Sequence, residues 1–471
     1  MSTVADPSSP SRRSVPGPVV FAGRRPVAML ALGFSAGLPA VLVFDVLSLW
    51  LRASGVSLEA IGFFSLVGLT YSLKFLWAPL LDWVELPLLS NRLGRRRAWM
   101  LACQLPIMLV LWLMSTLDPT RGLVAAAALA LLVALLSATQ DIAIDAWRIE
   151  AASADGAAQG IMAAAYQWGY RTAVLVGGAV PLALAEPFGW NVSYAAMAAL
   201  MGIGVAATLA APREVREHTP SAGRAGVAAA FGEPLRDFYR RHGSGTALVL
   251  ALVCAYRLPD LVRSIMGPFY LDLGFTLVEV AEIRRMFGMA MTMGGVAAGG
   301  FAVARFGVAR AMVAGAAFAT TSSLGLAWLA TQGRDVAALV VTTGLEHAAA
   351  GFAGTCLIAY MSSLTSPGFA ATQYTLLSSI FTLPGRLLAS QSGFIVEEAA
   401  RAAERDGLLS PLGALFAGLP AESYAATIDP VSLGAGYFVF FLYSAALGAT
   451  ALALAVNAAL RSGTGRLPVA Q

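Results

Sequence analysis

The sequence predicts an all-α polytopic membrane protein with around a dozen spans, and three observations carry that prediction. Of 471 residues, 58% are hydrophobic and only 12% are charged, about half the charged share of a soluble domain. The apolar residues fall in runs close to the ~20 that cross a hydrocarbon core as a helix. The arginines collect between alternate runs rather than on one face. A closed barrel would instead show segments of about ten alternating residues.

Taken in order, residues 1–25 are rich in Ser, Pro and Arg and read as a disordered cytoplasmic N-terminus. Arg24 and Arg25 open an apolar run that continues to residue 50. That exceeds the roughly 7–15 residues of a cleavable signal core, so it is read as a retained first span. Spans at 59–82, 98–117, 122–144, 158–183 and 193–211 complete a six-helix bundle over 26–211. A polar cytoplasmic linker, 212–244, leads to spans at 245–270, 280–302, 311–331, 336–362, 371–396 and 432–459. These form a second bundle over 245–460, with an external insertion at 397–431 that has room for short surface helices and a cytoplasmic tail at 461–471.

Loop charge orients the chain. With the N-terminus inside, nineteen arginines fall in cytoplasmic segments and five in external ones. This positive-inside bias puts both termini in the cytoplasm of a cell whose inner membrane the protein crosses. The halves also echo each other. Arg171 precedes Gly178 by seven residues and Arg386 precedes Gly393 by seven, with Gln159 and Gln373 upstream by 12 and 13. At equivalent places of a six-plus-six layout, this favours two parallel repeats in pseudo-symmetric bundles of 12 transmembrane helices, the major facilitator fold.

Several function classes are excluded. Lys74 is the only lysine and lies in "TYSLKFLW", so no Walker A loop and no ATP-driven pump is present in this chain. Cys103, Cys254 and Cys356 are isolated within apolar spans and form no metal or disulfide pattern. No nucleophile–base pair and no cofactor loop is found, so the chain does not read as an enzyme and calls for no cofactor or metal. Basic residues between spans give no nucleic-acid footprint, and no obligate protein partner is indicated.

Charges at membrane depth are costly, roughly 2.5–3.5 kcal/mol each on the lenient insertion scale. Asp45, Arg263, Arg284 and Arg285 lie near span ends, where long side chains reach an interface. Lys74, Arg171, Arg257, Glu346 and Arg386 lie deeper. A water-filled cavity lined by Lys74, Arg171, Arg257 and Arg386 suits an anionic solute, because a desolvated carboxylate requires charge-assisted partners. Arg257 and Asp260, at i and i+3 around Pro259, can also pair with each other. Tyr71, Trp77, Tyr170 and Tyr374 offer flat faces for sugar rings, and Gln140 and Gln373 complete the candidate substrate set.

Specific strings go further. "LSLWLRASGVSLEAIGFFSLVGLTYSLKFLWAPLLD" (47–82), "GRRRAWMLACQ" (94–104), "ATQDIAIDAW" (138–147), "GYR" (169–171), "YRLPD" (256–260), "LEHAAAGFAGT" (345–355) and "ATQYTLLSS" (371–379) resemble the AmpG family of muropeptide permeases. That family has the major facilitator fold, and acetyl-coenzyme A transporters are among its relatives. The resemblance implies proton-driven import of N-acetylglucosamine–anhydro-N-acetylmuramic acid units, with or without a stem peptide, for cell-wall recycling. It also implies a link to β-lactamase induction. The 397–431 segment and Asp45 depart from the family pattern. Another anionic metabolite, such as an acyl-coenzyme A or an organic acid, is the competing cargo.

The two aspartates of "QDIAIDAW" receive different roles. Asp82 and the following "GRRR" resemble a stretched form of the major facilitator loop signature, in which an acid and loop arginines hold the cytoplasmic end of span four. Asp145 at that end is therefore expected to join Asp82 and Arg95, Arg96 and Arg97 in a cytoplasmic gate. Asp141 lies one turn deeper, where a carboxyl partly removed from water holds its proton more readily, and is the candidate proton carrier. Glu346, with His347 beside it, competes for that role.

Overall fold

The computed structural model describes residues 23–56, 65–118, 122–152, 155–213, 227–389, 391–405, 415–416 and 430–463. Regular structure within them is helical, and nine helices are long and apolar enough to cross a membrane. Two expected spans lie in one of these nine, Gly156–Ala210. The chain reverses inside it at Gly189, whose φ of 82° is open to glycine at little cost. The Ser193 hydroxyl donates to the Pro181 carbonyl at 2.8 Å, whereas twelve residues of continuous helix would separate them by about 18 Å.

Two spans are broken where the sequence carries glycine, proline and charge together. The second becomes short turns, Ser65–Gly68, Leu69–Leu73, Lys74–Leu76 and Ala78–Trp83. The seventh stops as an α-helix at Ala255 and continues as a 3-10 turn, Leu258–Ser264, around Pro259, which lacks the N–H an α-helix needs there. The expected linker contains an amphipathic helix, Val227–His242. Beyond residue 389 a second helix, Ser392–Arg405, precedes the final Pro430–Gly463 helix. The expected disordered N-terminus falls almost wholly outside the described residues, as do the middle of the linker and most of the 397–431 insertion.

Apolar surface gains nothing by meeting apolar surface in lipid, so helices there associate through small residues that bring backbones together. The Arg24–Ala53 helix meets the Gly156–Leu200 helix this way: Gly169 lies against the Leu30 carbonyl and Gly33 against the Tyr166 carbonyl. In the C-terminal half, Gly295 and Gly351 bring the Gly288–Phe306 and Val336–Leu364 helices equally close, against Ala348 and Thr292. Gly160 and Gly300 make the corresponding approach between the two halves.

Polar caps fix where helices begin. Asp335 accepts from the N–H groups of Ala337 and Ala338 at 2.8 and 3.1 Å. Thr276 and Glu279 form a reciprocal capping box. Bonds from the Thr276 backbone and hydroxyl, then Arg334 at 3.0 Å, hold the Glu279 carboxyl below its ordinary range.

The packing predicts a sharp contrast between two glycines on one helix. A Cβ at Gly169 collides with the Leu30 backbone, while one at Gly178 meets nothing within 4 Å. Gly169→Val should cost about 2 kcal/mol or more through overpacking and lower the thermal midpoint in detergent; Gly178→Val should leave it unchanged. Equal melting of the two variants would remove the close-approach explanation.

Candidate functional site

The functional region has two parts, a closed end and a cavity that opens toward the other end. The closed end is built around Asp82, which is fully buried at the end of the broken second span. The Arg96 guanidinium, also fully buried, donates to Asp82 Oδ1 at 2.7 Å and to Glu150 Oε1 at 2.6 Å. Arg95 donates to the Asp82 carbonyl at 2.5 Å. The remaining acceptor capacity of Asp82 is taken from the opposite half: Thr372 N–H at 2.8 Å, Thr372 Oγ1 at 2.7 Å and Ala371 N–H at 3.3 Å. A carboxylate therefore sits on the N-terminus of the Ala370–Ala389 helix, where free N–H groups and the helix dipole favour negative charge.

A second layer lies deeper. Arg148 donates to Asp145 Oδ1 at 3.2 Å and to the Ser362 hydroxyl at 2.7 Å. Its guanidinium stacks 4.9 Å from the Tyr374 ring and 5.9 Å from Tyr166. The expectation that Asp145 binds the loop arginines is corrected here. The helix runs to Ala152, about 10 Å of rise past Asp145, so Asp145 pairs within its own turn and Glu150 meets Arg96. Arg97 turns away and donates to the carbonyls of Thr208 and Leu209 at 2.8 and 2.7 Å.

Several expected substrate contacts also belong elsewhere. Gln373 donates to the Pro234 carbonyl at 2.9 Å and to Asp237 at 2.8 Å and accepts from Arg241 at 2.9 Å, fastening the Val227–His242 helix to the closed end. Tyr374 faces Arg148. Gln140 is buried within the N-terminal half and donates to the Ser35 hydroxyl at 3.1 Å. Trp77 donates to Thr139 at 3.1 Å, and Tyr71 packs 5.6 Å from Phe44. Lys74 is half-buried and interacts electrostatically with Asp141, whose Oδ1 is buried without a described partner. Tyr170 lies beside Tyr166, ring centres 6.1 Å apart. Arg386 lies outside the residues whose side chains are described.

The cavity has a volume of about 750 Å³. Arg171 lines it, together with Asp45, Ser48, Arg284, Thr292 and His347. Asp45 and Arg284, read from sequence as interface-seeking, reach it because each lies in a π-helical turn, Leu42–Val46 and Ile283–Phe287. One added residue in such a turn re-aims the side chains around it. Hydropathy does not reveal a π turn, so sequence reading missed both residues. Arg171 makes no ion pair with a described carboxylate, and its Nε has no described hydrogen-bond partner.

The C-terminal wall is paired instead. Arg257 meets Asp260 at 2.6 Å, Arg263 meets Asp260 at 3.3 Å and Glu346 at 3.7 Å, and His347 Nδ1 lies 2.8 Å from Glu346 Oε2. Arg257 and Glu346 line a smaller cleft behind the cavity. The arrangement places Arg171 and Arg284, neither ion-paired to a described carboxylate, beside a chain of paired charges around a space large enough for a small organic molecule.

Known proteins with similar sequence or fold accord with this architecture. A family model described as acetyl-coenzyme A transporter 1 matches residues 27–124. "Putative transporter AmpG 4" of Rickettsia felis is 32% identical over 383 residues, covering 80% of this chain and 91% of that protein. "Anhydromuropeptide permease" of Escherichia coli K12 is 33% identical over 382 residues, covering 80% of this chain and 75% of that protein. Among solved structures, the major facilitator proton:xylose symporter XylE superposes with a TM-score of 0.55 at 11% identity, covering 89% and 93% of the two chains. The human organic anion transporter MFSD10 gives 0.52 at 19%, covering 93% and 100%.

The closed end yields a direct prediction. Asp82→Asn weakens charge-assisted bonds worth about 1.5–3 kcal/mol each. A cysteine placed at Ala371, buried at this end, should then react with a maleimide roughly tenfold faster or more. An unchanged rate would show that the Asp82 contacts do not hold the end shut.

Proposed function

This chain belongs to the AmpG family of membrane transporters, and from that premise we propose that it imports anhydromuropeptides by proton symport. It is a multi-pass membrane protein with the major facilitator fold, a transporter and not an enzyme. The proposed cargo is a disaccharide of N-acetylglucosamine and anhydro-N-acetylmuramic acid, with or without a stem peptide. It moves from periplasm to cytoplasm across the inner membrane, with both termini cytoplasmic as the loop arginines favour. The two six-helix bundles, 26–211 and 245–460, rock about the cargo while the 212–244 linker joins them on the cytoplasmic side.

The observation that carries the reading is Arg171. A half-buried guanidinium with no ion pair to a described carboxylate, on the wall of a cavity that is shut at the opposite end, supports an anionic cargo loaded from outside. The Asp82–Arg96–Glu150 cluster is then the cytoplasmic gate, with Arg148 and Asp145 as its inner layer. Asp141 is the proton carrier we propose, since its partnerless buried oxygen gives a protonated carboxyl somewhere to act. The match of residues 27–124 to an acetyl-coenzyme A transporter model supports an acyl-coenzyme A as the alternative cargo.

Right-side-out vesicles test this directly. A labelled anhydromuropeptide should accumulate under an imposed inward proton gradient, and an acyl-coenzyme A should not compete; no accumulation ends the proposal. Arg171→Ala should reduce uptake by about tenfold to a hundredfold, the worth of one charge-assisted contact, with membrane insertion unchanged. Asp141→Asn should abolish gradient-driven accumulation while exchange of labelled for unlabelled cargo continues. Loss of both activities would instead place Asp141 in the structure of the gate.

A further inference from the structure

His347 presents a constrained imidazole to the large cavity. Its Nδ1 lies 2.8 Å from Glu346 Oε2 and 2.9 Å from the carbonyl oxygen of Thr343, one turn back. A carbonyl and a carboxylate only accept, so Nδ1 carries the hydrogen. In a neutral ring that leaves Nε2 as the open acceptor, and Nε2 has no hydrogen bond to a described residue. The side chain lines the large cavity. Space for the ring comes from Gly288: a Cβ there would stand 2.7 Å from Nε2 and Cδ2.

The surrounding charge is specific. Glu346 stands behind the ring on the same helix, and Arg263, Asp260 and Arg257 follow it on the seventh span. Arg284 faces from the π turn of the eighth span, Arg171 from the fifth and Asp45 from the first. Four guanidinium groups against three carboxylates leave one net positive charge before the imidazole gains a proton. Two of the four, Arg171 and Arg284, border the same cavity as the ring. With Asp45, they set the charge that an anion entering the cavity meets beside the ring.

The geometry points to His347 as the group that ties the charge of the cargo to a proton: an anion seated among Arg171, Arg284 and His347 neutralises the two arginines and lets Nε2 take a proton from cavity water, with Glu346 balancing the imidazolium. This rests on the reading of an anionic cargo in the cavity. The step forms one N–H bond and leaves the water deprotonated by one; the proton returns to water on the other side once the cargo has left. By linkage, anion and proton strengthen each other's binding to the same extent. His347 is then a binding and proton-holding residue, and Glu346 positions and balances it.

The test uses the full chain in lipid nanodiscs, with N-acetylglucosaminyl-anhydro-N-acetylmuramyl peptide as the probe. Calorimetry in buffers of different ionisation enthalpy at neutral pH should show proton uptake on binding in the wild type and less, by up to about one proton, in His347→Gln, Asp141 keeping its own. Below the wild-type midpoint the affinity should stop depending on pH; above it, affinity should fall toward tenfold per pH unit. Uptake as large in His347→Gln as in the wild type, or none in the wild type, overturns the inference. Gly288→Ala keeps every charge but displaces the ring, and should reduce the proton uptake if His347→Gln fails to fold.

A second measurement separates this failure from failure of the cargo assignment. The chain has only three histidines, so carbon-13 labelled imidazoles in the empty protein give few signals. The one lost in His347→Gln should respond to pH, and that response should change in Glu346→Gln, as loss of a contacting carboxylate requires. If the probe does not bind, the anhydromuropeptide assignment fails, and this titration still decides the role of His347. A signal that does not titrate, or that ignores Glu346, overturns it.

Discussion

A carboxylate removed from water must find its hydrogen bonds in protein, and Asp82 finds most of them about 290 residues away. Arg96 alone would leave part of its acceptor capacity empty in a site with no solvent, a cost of roughly 1–3 kcal/mol or more for a charged group. The start of the Ala370–Ala389 helix supplies the rest, through N–H groups that any helix leaves unsatisfied at its first turn. Each side completes the other, so the two halves close at this end only together. Nor is the tie permanent, because both the carboxylate and the helix terminus are groups that water satisfies well once they part.

The deeper contacts differ in kind. Within each half, Gly33, Gly169, Gly295 and Gly351 place backbone against backbone, leaving no room for water to replace the partner. Between the halves, polar groups dominate at the closed end, the Gly160–Gly300 approach lies beyond them, and the cavity takes over further along. Hydratable contacts thus dominate between the halves at the closed end, and contacts that water cannot replace dominate within each half, with the Gly160–Gly300 approach the exception between them. That division permits rocking of packed units without melting either one.

Most helices were legible because lipid imposes a length and a composition, and because alternate loops carry the arginines. The separation of Asp141 from Asp145 was legible for the same reason: one turn of helix changes depth. What was not legible was partnership. The fourth span was expected to end at 144, yet the Leu123–Ala152 helix runs on and carries Glu150 to Arg96. Gln373 looked like a cavity residue by its place in the repeat, yet its neighbours are Asp237 and Arg241 on a helix that the linker's polarity disguised. Asp45 and Arg284 owe their direction to π turns, which change no hydrophobic pattern. Sequence spacing reports which face a side chain takes on a regular helix, and each miss falls where regularity or chain proximity ends.

The two walls of the cavity explain how such a machine can turn over. On the C-terminal wall, Arg257, Asp260, Arg263, Glu346 and His347 satisfy one another. On the N-terminal wall Arg171 has no ion pair with a described carboxylate, although Asp45 borders the same cavity. An anionic cargo, as proposed, would draw the walls together at the open end, as Thr372 and Asp82 do at the shut one. Moving two states from 1:99 to 99:1 takes about 5.5 kcal/mol, roughly two or three charge-assisted hydrogen bonds. That is the scale of the contacts Asp82 makes across the halves, so the proposed anion and the proposed gate are matched in energy.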